Sequence, residues 1–98
     1  MFYYIIDLSI RGQNDDGKNA LTFLSENDFE EALNFNLDVA VEYGDYTPDE
    51  AKEIRLKFMQ NNEIEMEVNG FMFGKTNSKD ELVEEYKNDY DIMIDDLE

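Results

Sequence analysis

The chain has no cysteine, no histidine and no tryptophan, and only one proline in 98 residues. Without Cys there is no disulfide, no thiolate nucleophile and no sulfur-ligated metal. Without His the usual general base near neutral pH and the commonest metal ligand are missing. Positive charge is scarce too: eight Lys and Arg stand against 25 Asp and Glu, a formal net charge of −17. Nucleic acid and anionic membrane surfaces would repel such a molecule, so direct DNA or RNA binding is disfavoured. No apolar run approaches the roughly 20 residues of a membrane-spanning helix. The opening residues, Met1-Phe2-Tyr3-Tyr4-Ile5-Ile6-Asp7, have no basic flank and are too short an apolar run for a secretory signal. The expectation is a cytoplasmic protein.

What the chain does have is an apolar complement large enough to fold. Hydrophobic residues make up 42% and aromatics 13%, with seven Phe and six Tyr. Disordered acidic chains lack those core-forming groups. The length predicts a single domain over residues 1–98. A chain of this size buries roughly 60–65% of its unfolded surface, enough for one modest core.

The charge is segregated. Residues 26–50 carry nine acids and no Lys or Arg; residues 80–98 carry nine acids and Lys87. These two blocks, −9 and −8, account for the whole −17, because the seven acids and seven bases elsewhere cancel. Self-repulsion within such blocks opposes compaction. A small protein that retains them is expected to use them on a basic partner.

The local patterns predict an α+β domain in the order β-β-α-α-β-β-α, an antiparallel sheet with helices mostly on one face. Residues 2–10 alternate, with Phe2, Tyr4, Ile6, Leu8 and Ile10 on one side, and read as a strand that is central at its start. Gly12 to Gly17 is turn-rich, and Ala20–Leu24 suits a second strand paired back as a hairpin. Ser25 and Asp28 form a weak capping box before Phe29, Leu33, Leu37, Ala40 and Val41 at helical spacing. Helix over 26–43, closed by Gly44, is the expectation; Leu37, Val39, Val41 and Tyr43 also alternate as a strand would, and that reading of 36–43 stays open. Thr47-Pro48-Asp49-Glu50 is a complete helix start, with the helix running to about residue 60 and Ala51, Ile54, Phe58 and Met59 inward. Asn69-Gly70 predicts a type I′ hairpin turn, with Ile64, Met66 and Val68 facing Phe71 and Phe73 across it. Glu63, Glu65 and Glu67 fall on the solvent side of that hairpin. Ser78 and Glu81 cap a last helix over about 79–95, with Leu82, Val83, Tyr86, Tyr90, Met93 and Leu97 in one stripe.

Catalytic and metal chemistry find little support. Asn14-Asp15-Asp16-Gly17 faintly suggests a calcium loop, but with Gly17 at the sixth position the first falls on Gly12 and the twelfth on Phe23, where acids are required. Paired carboxylates can hydrolyse glycosides, but only in a cleft that sets their separation. No cofactor and no metal is expected, and an enzyme is not.

The candidate partner-binding residues are therefore acids and tyrosines: Glu31, Asp38, Glu42, Tyr43, Asp45 and Tyr46 in the first block, and Glu84, Glu85, Asp89, Asp91, Asp95 and Asp96 in the second. Acids in first turns, such as Asp28, Asp49, Glu50, Asp80 and Glu81, complement helix dipoles. Asp38, Glu42, Asp45, Asp95 and Asp96 lie towards predicted helix C-termini, where each costs a few tenths of a kcal/mol. Carboxylates three or four positions apart on a helix have Cβ atoms about 5–6 Å apart. That is the order of the phosphate spacing on a nucleic-acid strand, and two such helices side by side would present rows of negative charge to a DNA-binding groove. Tyrosines beside charge are suited to interface anchoring.

This acidic pattern resembles the small antidefence proteins of phages and mobile elements, the anti-CRISPR inhibitors and ArdA-type antirestriction proteins. The chain's ten Asn and four Ala, a composition that fits AT-rich coding, agree with such a source. A local likeness to the start of ArdA-type proteins covers about a third of the chain: Tyr3–Leu8 as a strand, a Gly-containing turn, Leu21-Thr22-Phe23 as a strand, then Asp28-Phe29-Glu30-Glu31. The resemblance implies a non-enzymatic inhibitor that mimics nucleic-acid charge and blocks the basic surface of a defence nuclease. The alternatives are an immunity protein that neutralises a toxin nuclease, and a phage structural or adaptor protein.

Overall fold

The structure is a computed structural model, described here over residues 1–93. It is an α+β fold: five strands in the order β3-β4-β1-β2-β5, with helices on both faces. The elements are β1 (Phe2–Asp7), β2 (Asn19–Leu24), α1 (Glu26–Glu42), α2 (Pro48–Gln60), β3 (Ile64–Val68), β4 (Phe71–Thr76), α3 (Lys79–Tyr86) and β5 (Tyr90–Met93), with a 3-10 turn at Ile10–Gly12.

β1 is the middle strand, antiparallel to β2 and β4 (Ile5 opposite Thr22 and Phe73). Its side chains alternate between two cores, as a strand apolar on both faces must. Tyr3 and Ile5 point to one face and pack with Phe29, Leu33 and Leu37 of α1, Ala51, Ile54 and Phe58 of α2, and Val68 and Phe73. Tyr4 and Ile6 point to the other and pack with Leu21, Phe23 and Leu82, flanked by Val83, Tyr86, Tyr90 and Ile92. Two of the three helices thus cover one face and α3 covers the other.

The period-3.6 reading of 26–43 prevails over the strand reading. Leu33, Leu37 and Ala40 are buried in α1, and Gly44, at φ 82°, ends the helix in the left-handed conformation. α2 begins as the sequence predicts: Thr47 Oγ1 accepts from the Glu50 amide at 3.1 Å, and Glu50 accepts from the Thr47 amide at 2.9 Å. The β3–β4 turn has Asn69 at φ 53° and Gly70 at φ 83°, as the type I′ geometry needs.

Three expectations are corrected. β1 ends at Asp7, not residue 10: the Asp7 carboxylate accepts from the Ser9 amide, Ser9 Oγ accepts from Gly12, and the chain turns into the 3-10 segment, leaving Ile10 exposed. Met59 is exposed, while Ile54 and Phe58 suffice to bury α2. The last helix stops at Tyr86, not near 95. Lys87–Asp89 make a turn, and Tyr90–Met93 form β5, parallel to β2 with Leu21 opposite Ile92. β4, β2 and β5 run in one direction, so the β4-to-β5 connection must cross the sheet; α3 is that crossover.

Candidate partner-binding surface

α1 has its buried stripe on Phe29, Leu33, Leu37 and Ala40, which turns the opposite side to solvent. Glu31, Asp38 and Glu42 all lie on that outer side and are exposed. Tyr43, the C-cap, is 77% exposed, and Asp45 is exposed in the loop to α2. These five predicted residues are strung along the exposed side of α1 and into the loop that follows it. Tyr46, expected in the same role, is instead partly buried against the α1–α2 core, its hydroxyl donating to the Glu67 carbonyl at 3.5 Å. It is a core-edge residue that ties the loop to β3.

The second block divides. Glu84 and Glu85 are exposed on α3, and Asp89 is exposed in the turn after it. Asp91 is half-buried in β5 and alternates with Tyr90 and Ile92, so it points to the face opposite α3. Asp95 and Asp96 lie outside the described residues. Because α3 ends at Tyr86, the helix C-terminus against which those two were set is occupied by Glu84 and Glu85.

The two acidic blocks do not lie side by side. α1 and α3 are on opposite faces of the sheet, so the expected double row on adjoining helices is replaced by one acidic surface on each face. The surfaces are barely neutralised. Among the described residues there are two ion pairs, Arg55–Asp38 at 2.9 Å and Lys87–Glu84 at 2.8 Å. Arg55 also donates to Asn34 Oδ1 at 2.7 Å, which fixes α2 along one flank of α1.

The α3 side holds acids whose arrangement the sequence did not disclose. Glu63, Glu65, Glu81 and Glu85 line a groove of about 300 Å³ between β3 and α3. At its base one carboxylate serves two phenols: Tyr4 donates to Glu65 at 2.5 Å and Tyr86 donates to it at 2.9 Å. Burial, then the bond to Glu65 and that carboxylate's negative charge, push both tyrosine pKa values well above the ordinary phenol value. Tyr3, on the other face, is raised by burial and by Glu26 and Glu30. Tyr86 further stacks edge-on against Tyr90, with ring centroids 5.2 Å apart. Tyr86 and Tyr90 therefore build the core on this side.

Sequence reasoning missed Phe35. It is 67% exposed on α1, one turn from both Glu31 and Asp38. The signal was present: Phe35 falls off the Phe29/Leu33/Leu37 stripe and among the acids. Among the described residues no group of three or more acids is disposed to hold a metal ion, and no helix is long and apolar enough to cross a membrane. No protein-family model, curated protein or solved structure matches this chain.

Proposed function

We propose that this protein is a non-enzymatic inhibitor that occupies the basic nucleic-acid-binding surface of a nuclease, the defence nucleases targeted by antidefence proteins being the class its composition favours. The observation that carries the reading is the pair of under-neutralised acidic surfaces on opposite faces of one sheet. A nucleic-acid duplex is also negative on every side, so a channel lined with Lys and Arg on both walls would accept either. The field of the whole molecule would steer encounter, and close contacts would set the lifetime of the complex.

The test is capture at low salt with the immobilised protein, followed by elution with duplex DNA and separately with a salt gradient. The expected result is retention of a nucleic-acid-binding protein that DNA displaces and about 0.5 M salt releases. A retained partner indifferent to both would overturn the proposal.

A further inference from the structure

We propose that α1 is the docking element of this protein, and that it recognises a basic surface with an apolar recess that receives Phe35. The inference rests on the inhibitor reading above and specifies which of the two acidic faces makes the close contact.

Phe35, Val39 and Tyr43 are spaced four apart and so follow one ridge of α1. Phe35 and Tyr43 are 67% and 77% exposed, and Val39 between them is half-buried. Glu31, Asp38 and Glu42 flank this ridge on its solvent side. α2 does not cover it. Arg55 of α2 meets Asn34 and Asp38, and Phe35 lies about 100° further round the helix from Asn34.

A surface selected only to imitate phosphates has no use for a phenylalanine at the centre of its acids. Lone exposed apolar residues are ordinary. An aromatic ridge edged by carboxylates on one helix is the arrangement of an interface anchor within a charged collar. The other acidic face has no such helical ridge: Tyr4 is buried, Tyr86 and Tyr90 pack half-buried against the core, and its exposed aromatic, Phe2 at 39%, stands at the start of β1 and not among the acids of α3. Charge complementarity sets the partner's sign. It also opposes a second copy of this chain, whose α1 would bring the same acids.

The test uses two synthetic probes of equal charge, an amphipathic helical peptide of lysine and leucine and an all-lysine peptide, titrated into the isotope-labelled full chain by NMR. The amphipathic probe is expected to perturb residues 28–43 selectively and to bind at least tenfold tighter than the all-lysine probe. Phe35→Ala, which leaves the core intact, is expected to lose about tenfold in affinity for the amphipathic probe alone. Equal binding by wild type and Phe35→Ala, or shifts centred on α3, overturns the docking element and leaves the inhibitor reading standing. Absence of salt-dependent binding by either probe overturns both. Wild type that dimerises through Phe35 in sedimentation, with a monomeric Phe35→Ala, also overturns it by making a second copy the occupant.

Discussion

Gly74 shows how much of this fold depends on a close approach that no sequence pattern announces. It sits in β4 directly opposite Tyr4 of β1, and a Cβ built at Gly74 would fall on the Tyr4 ring. The missing side chain lets that ring lie over the neighbouring strand, 2% exposed, with its hydroxyl reaching Glu65. Glycine in a strand interior ordinarily weakens the strand, and an aromatic over it repairs the gap. Gly74→Ala is expected to displace the ring, break the Tyr4–Glu65 bond and cost about 1–3 kcal/mol, as overpacking does. Urea unfolding measures it; an unchanged midpoint would mean that the ring relocates freely. Asn36 is a second residue of this kind. It is a buried polar group on an otherwise apolar helix face, satisfied by donating to the Ala32 carbonyl and accepting from Asn69 in the β3–β4 turn. Asn69 was legible as a turn residue; its pairing with Asn36, 33 positions away in the chain, depends on the fold.

At the scale of elements, what was legible follows local chemistry. The capping box of α2, the Asn-Gly turn and the hydrophobic stripe of α1 are each decided within a few residues, and each is where the sequence placed it. The end of α3 was not legible because its residues satisfy two periods. Leu82, Tyr86 and Tyr90 recur every four positions, while Tyr90 and Ile92 alternate; only the free edge of β2 decides between them. Tyr86 is the hinge of this choice, since it stacks on Tyr90 and binds Glu65 of β3. The clasp gives a pH dependence. Both phenols must keep their protons to donate, and both pKa values are raised in the folded protein above the ordinary 10.0. The unfolded chain loses these protons first, so stability is intact below pH 10, falls as pH rises above it, and goes on falling towards the folded-state values. Stability measured from pH 8 upwards is expected to decline more steeply for wild type than for Tyr86→Phe. Tyrosinate absorbance showing all six phenols ionising together near the ordinary value in still-folded protein would refute the clasp.

The whole molecule carries a conflict between stability and function that a single variable separates. The chain carries a net charge of −17, and the fold has a radius of gyration of 13.6 Å with two ion pairs among the described residues. The screening length is about 30 Å at 0.01 M salt and about 8 Å at 0.15 M. Over that range the two acidic faces pass from feeling each other across the sheet to being largely independent. Salt should therefore stabilise the fold, by about 1 kcal/mol or a rise of roughly 4–8 °C in Tm for a domain of this size. The same screening weakens attraction to a basic partner, so affinity must fall as Tm rises. A surface kept only for solubility would show the first trend without the second. Thermal melts and probe titrations over one salt series test this together. A Tm that is flat or falls with added salt would mean that the acids do not strain the fold, and the argument that they are retained for a partner would lose its physical basis.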